Sequence, residues 1–96
     1  MNVIAKSHIV AYQKQYGPAA KTLQSWLTIA SKAKWLTPND VKQSDPRAGI
    51  INDERVVFDI GDNYRLVVAI DYRKQWLWIK FFSTHAEYDR IDAKTI

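Results

Sequence analysis

Four side chains in the last third of the chain, Arg65, Lys80, His85 and Tyr88, are of types that can work on a phosphate. A guanidinium grips phosphate oxygens through parallel N–H donors, and an ammonium adds a point charge. An imidazole titrates near neutrality and can take or give a proton. A phenol can hydrogen-bond a phosphate, stack on a base, or move a proton where neighbouring cations lower its pKa. Together they fit attack of an RNA 2′-OH on its adjacent phosphate, a reaction that can run without a metal. It needs a base for the hydroxyl, cations for the charge building on the phosphorane, and an acid for the departing 5′-oxygen. The same residues also read as plain structure, with Arg65 paired to Asp59, His85 capping a turn and Tyr88 packing its ring.

Other chemistries find fewer parts. The chain has no Cys, which excludes a thiolate nucleophile and a disulfide framework and is compatible with a cytoplasmic protein. His8 and His85 are the only histidines. His85 and Asp89, one helical turn apart if Thr84 caps a turn, would supply two metal ligands with no third nearby, so no metal is expected. No Gly-x-Ser-x-Gly elbow, P-loop or dinucleotide fingerprint occurs, so no cofactor is implied.

The elements that must position these groups follow from alternation. Tyr64, Leu66, Val68 and Ile70 share one face of a strand, with Arg65, Val67, Ala69 and Asp71 on the other. After the connection Tyr72-Arg73-Lys74-Gln75, a second strand puts Leu77, Ile79 and Phe81 on the aliphatic side and Trp76, Trp78, Lys80 and Phe82 opposite. Arg65 and Lys80 thus become diagonal neighbours on the uncovered face. Arg55 to Ile60 forms a preceding strand. A three-residue Gly61-Asp62-Asn63 loop aligns Val56, Phe58 and Ile60 with Val68, Leu66 and Tyr64, and sets Asp59 across from Arg65.

Upstream, Met1 to Ile4 reads as an edge strand, and Ser7 as the cap of a helix with Ile9, Tyr12 and Tyr16 on its apolar side. Gly17-Pro18 ends that helix. The next carries Ala19, Leu23, Trp26, Leu27, Ala30 and Ala33 on one stripe and Lys21, Gln24, Ser25, Thr28 and Lys32 on the other. Trp26 and Trp35 read as packing residues. Thr37-Pro38-Asn39-Asp40 starts a short helical turn, and Gln43 to Glu54 reads as an irregular surface connection. The expected fold is a single α+β domain over 1–96, β-α-α-β-β-β, with a helical hairpin on one face of an antiparallel sheet and a short C-terminal turn or helix.

Charge is unevenly spread. The net charge is +4 and the pI about 9.4, yet no Asp or Glu precedes Asp40, while Lys6, Lys14, Lys21, Lys32 and Lys34 do. A wholly basic N-terminal segment favours a polyanionic partner or, more simply, is a solvated helix face. No run reaches the roughly 18 apolar residues of a membrane span, and no signal-peptide pattern is present.

Two motifs at their given separation, Asn63-Tyr64-Arg65-Leu66 and Thr84-His85-Ala86-Glu87-Tyr88-Asp89, resemble the toxins of HigB-type bacterial toxin–antitoxin systems, within the RelE-like superfamily of messenger-RNA interferases. The similarity extends through Trp26, Trp35 with Asp40-Val41-Lys42, and Val56 to Ile60. The resemblance implies a RelE-like fold and a ribosome-dependent, metal-independent endoribonuclease. It implies neutralisation by a HigA-like helix-turn-helix antitoxin, through which operator DNA is contacted indirectly. It marks Arg65, Lys80, His85 and Tyr88 as catalytic. Asn63, Trp78, Lys21 and Lys32 become RNA contacts, and Glu87 and Asp89 secondary candidates. Asp62 and Ser83 depart from the family pattern, the first by an added charge and the second by standing where Gly is common. The alternative is a non-cleaving RNA- or protein-binding module of the same fold.

Overall fold

Apolar alternation resolves into one five-stranded sheet in a computed structural model describing residues 1–96. The strands are β1 (Asn2–Ile4), β2 (Gly49–Ile50), β3 (Arg55–Ile60), β4 (Tyr64–Asp71) and β5 (Trp76–Thr84), in the spatial order β1-β5-β4-β3-β2. Helices α1 (Lys6–Gln15), α2 (Ala20–Lys32) and α3 (Pro38–Ser44) precede β2, and α4 (His85–Tyr88) follows β5. The α+β architecture is as expected. The sheet is mixed rather than wholly antiparallel, because β1 runs parallel to β5 after the helices have carried the chain across one face.

The helical hairpin covers the aliphatic face. From α2, Leu23, Trp26 and Ala30 join Ile9 of α1 against Val56, Phe58, Leu66, Val68, Leu77 and Ile79, all buried in one cluster. The opposite stripe of α2, including Lys21 and Lys32, is exposed. Trp26 and Trp35 both pack on Phe58, with ring centroids 5.4 and 5.9 Å away. Thr37 and Asp40 cap α3 reciprocally, and Pro38 takes its first turn. The cap expected of Ser7 does not form. Ala5 alone turns the chain from β1 into α1, in the left-handed region (φ 69°), so the helix begins at Lys6 and Ser7 falls inside its first turn.

The β3–β4 hairpin has the anticipated register, Ile60 facing Tyr64 and Asp59 facing Arg65, with Gly61 at φ +64° in the loop. The β4–β5 hairpin begins as anticipated, Asp71 facing Trp76, and then shifts by one residue between Val67 and Val68. Val68 pairs with Ile79 but Val67 with Phe81, leaving Lys80 as the extra residue of a β-bulge. Past the bulge the parity of β5 inverts. Phe82, expected on the uncovered face, is buried in the main core among Tyr12, Tyr16 and Tyr64. Phe81, expected in the core, emerges on the other side beside Val57 and Val67.

Two more expectations are corrected. The connection Gln43 to Glu54 is not wholly irregular, since it contains the end of α3, a buried Ala48, and β2 paired to β3. The face opposite the helices is not fully open either. Val57, Val67 and Ala93 form a small second cluster there with Ile91, Ile96, Phe81 and Tyr88 around it. The last residues thus lie over the middle of that face, because Val57, Val67 and Phe81 are too apolar to be left in water.

Candidate active site

Asp59 on β3 joins the central cations. Its Oδ1 lies 3.1 Å from Arg65 Nε and its Oδ2 lies 3.2 Å from Arg47 Nη2. The Arg65 side chain is only 16% exposed and also donates from Nη1 to the Tyr64 carbonyl at 2.9 Å. Its Nη2 has no partner within the chain. Pairing with Asp59 therefore fixes the plane of the guanidinium and leaves donor capacity for an anion. Two guanidinium groups on one carboxylate leave a net positive centre, partly offset by exposed Asp62 at 3.9 Å from Arg47.

Sequence inspection missed Arg47. It lies in the segment read as an irregular connection, and its place depends on β2. Gly49 pairs with Val57, so continuing that register by two residues sets Arg47 against Asp59. A Cβ at Gly49 would lie 2.8 Å from Val57 Cγ1, so the close approach requires glycine. Glycine two residues after Arg47 was the available sign, but it has meaning only once β2 is known to pair.

The helical turn after β5 brings the remaining groups. Thr84 and Glu87 cap α4 reciprocally, and the His85 amide donates to the Asn63 carbonyl at 2.7 Å. The β3–β4 loop is thereby tied to the first residue of α4. His85 is 57% exposed, with Nε2 3.7 Å from Asp89 Oδ2. Tyr88 packs its ring against the Val57–Val67 cluster. Burial pushes its phenol above the ordinary tyrosine value, and nearby Asp89 and Asp59 act in the same direction, outweighing the opposing pull of Arg65. The condition on which the sequence allowed proton transfer, a phenol lowered by neighbouring cations, is not met, because desolvation raises it instead. At neutral pH the Tyr88 phenol carries its proton.

Arg65, His85, Tyr88 and Asp89 thus gather at one end of the face, with Asn63 contributing its backbone. Glu87 is engaged in the α4 cap, and its charge bears on the Tyr16 phenol. Lys80 does not join them. The bulge gives the diagonal place beside Arg65 to Phe81, since Arg65 pairs with Ser83. Lys80 instead lines a separate depression of about 550 Å³ with Trp78, Arg55, Ala69 and Asp71. Lys21 and Lys32 are exposed on α2, Lys32 lining a second depression with Asn2, Lys74 and Gln75. Ser83 is buried within β5 and donates to the Thr84 carbonyl at 2.9 Å.

A family model described as HigB_toxin, RelE-like toxic component of a toxin–antitoxin system, matches residues 19–91. The chain belongs to this family. The match spans Arg47, Asp59, Arg65, His85, Tyr88 and Asp89. A curated relative, the mRNA interferase HigB of Escherichia coli O6:H1 (strain CFT073), is 23% identical over 94 residues, covering 95% of this chain and 91% of the relative. As a toxic component, a HigB-family chain has an antitoxin as its counterpart. No helix is long and apolar enough to cross a membrane.

Proposed function

We propose that this HigB-family toxin is an endoribonuclease that cuts messenger RNA on the ribosome without a metal and is neutralised by a HigA-like antitoxin. The observation that carries the proposal is the Asp59-bridged guanidinium pair lying on the same face as a phenol held protonated and an imidazole beside a carboxylate. Arg65 and Arg47 take the non-bridging oxygens of the scissile phosphate and stabilise the phosphorane. His85, oriented by Asp89, accepts the 2′-OH proton as that oxygen bonds to phosphorus. The P–O5′ bond breaks, and Tyr88 gives its proton to the departing 5′-oxygen. The products are a 2′,3′-cyclic phosphate and a 5′-hydroxyl, and the proton on His85 later returns to Tyr88 through solvent.

The basic helical layer faces away from this centre, a disposition suited to docking on ribosomal RNA through Lys21 and Lys32 while the other face meets the message. Activity on the ribosome would be exerted in the cytoplasm. A HigA-like antitoxin with a helix-turn-helix would carry the pair to operator DNA.

Mapping transcript ends after brief induction tests the proposal. Wild type is expected to give discrete cuts within coding sequence, and Arg65→Ala to reduce them by about a hundredfold or more. Loss of translation with intact message would instead identify a non-cleaving binder.

A further inference from the structure

The depression that holds Lys80 has an internal order set by strand register. Its floor is Ala69, the smallest side chain on that row, flanked by Arg55 on β3 and Trp78 on β5. Asp71 lies two residues along β4 on the same face. Asp53 and Glu54 lie at that same end, where the Ile70 amide donates to the Glu54 carbonyl at 2.8 Å. Lys80 lies at the opposite end, two residues past Trp78. The depression therefore has an aromatic wall, an acidic end and a cationic end. None of Asp53, Glu54, Asp71 or Lys80 is in an ion pair. Asp71 spends one oxygen on the Lys74 amide at 3.0 Å and keeps the other. Arg55 Nε and Tyr72 Oη, enclosed beside this site, have no hydrogen-bond partner.

We propose that this depression binds a guanine base of the RNA substrate, which rests on the endoribonuclease assignment above. Guanine alone among the four bases carries two adjacent donors, N1–H and N2–H, on one edge and two acceptors, O6 and N7, on the next. A carboxylate matches the first edge and an ammonium or guanidinium the second. Adenine and cytosine offer one amino donor, and uracil a single N–H between two carbonyls. Single-stranded RNA is read this way, by a base splayed onto an aromatic ring and bonded at its edges. Four residues of β4, roughly 13 Å, separate Ala69 from Arg65. The base held here is therefore not the one at the scissile phosphate, and the site acts on where the enzyme cuts.

Nucleosides test the site apart from catalysis, since they lack the phosphate that Arg65 would grip. The full chain is titrated with guanosine, adenosine, cytidine and uridine while the Ala69 amide and Trp78 indole resonances are followed. Guanosine is expected to shift both, and the other three to bind at least fivefold more weakly. Asp71→Asn, which keeps the turn acceptor but loses the charge, should weaken guanosine by roughly fivefold or more with the remaining spectrum unchanged. In transcript mapping it should redistribute the cuts, whereas Arg65→Ala removes them. No shift, equal affinity for all four nucleosides, or an Asp71→Asn chain that binds guanosine normally would overturn the proposal, as would a surface occupied only by the antitoxin. If wild type never cuts RNA, the endoribonuclease assignment fails while the titration still judges the base site.

Discussion

Arg65 makes a structural contact that leaves room for the functional one proposed for it. The cross-strand pair with Asp59 was legible from loop length and parity, and it forms. It orients the guanidinium without exhausting it, because Asp59 meets Nε and leaves terminal nitrogens for an anion. Arg47 completes the centre from the solvent side with 59% of its side chain exposed. Arg47→Ala is expected to lower cleavage about tenfold or more while stability changes by less than about 0.5 kcal/mol, as for other exposed substitutions. Parallel activity assays and denaturant titrations check this, and an unchanged rate would remove Arg47 from the site. Tyr88 carries a sign that only burial could set. Its raised pKa keeps the phenol protonated beyond the ordinary value of 10.0, so activity should persist to alkaline pH and fall only as the proton is lost. Tyr88→Phe, which retains the ring packing on Val67, should cost roughly a hundredfold and lack that alkaline limb. The profile is to be read where circular dichroism shows both chains folded.

At the scale of elements, two irregularities decide which groups meet. The bulge at Lys80 is invisible to alternation, because an extra residue in one strand leaves no mark on hydrophobic pattern until pairing is known. It exchanges Phe81 and Phe82 and withdraws Lys80 from Arg65. The second irregularity is β2, two residues long and missed in a stretch with only one apolar pair, Ile50-Ile51. Gly49→Ala tests its role. With Val57 itself packed on Val67 and Ala93, the new methyl must push β2 away from β3, at about 1–3 kcal/mol. It should also lower cleavage about as far as Arg47→Ala does, since the same guanidinium is displaced. A variant with wild-type stability and activity would show that strand approach does not position Arg47.

The whole molecule separates two kinds of surface. The helical layer presents lysines without a single acid before Asp40, while the opposite face interleaves both signs around Asp59 and around Ala69. Four of the five tyrosines, Tyr12, Tyr16, Tyr72 and Tyr88, have phenols raised above the ordinary value, each chiefly by burial. A phenol whose folded pKa exceeds its unfolded one contributes stability that is complete below pH 10.0 and is lost as pH rises through the folded values. The fold should therefore hold through neutral pH and destabilise above pH 10.0 together with tyrosinate formation. Absorbance near the tyrosinate band and ellipticity, followed in one titration, should change together; tyrosinate appearing well before any loss of stability would contradict it.

By itself the sequence determined the helical hairpin, the β3–β4 register, the capped start of α3, the Asp59–Arg65 pair and the family. Each of these is written in local spacing, where period, loop length and cap chemistry act over a few residues. Tertiary structure alone decided that Lys80 is set apart from Arg65, that Arg47 joins Asp59, and that the Tyr88 phenol is raised rather than lowered. Those outcomes depend on a bulge, a two-residue strand and the burial of a ring, and each arises from contacts between segments far apart in the chain.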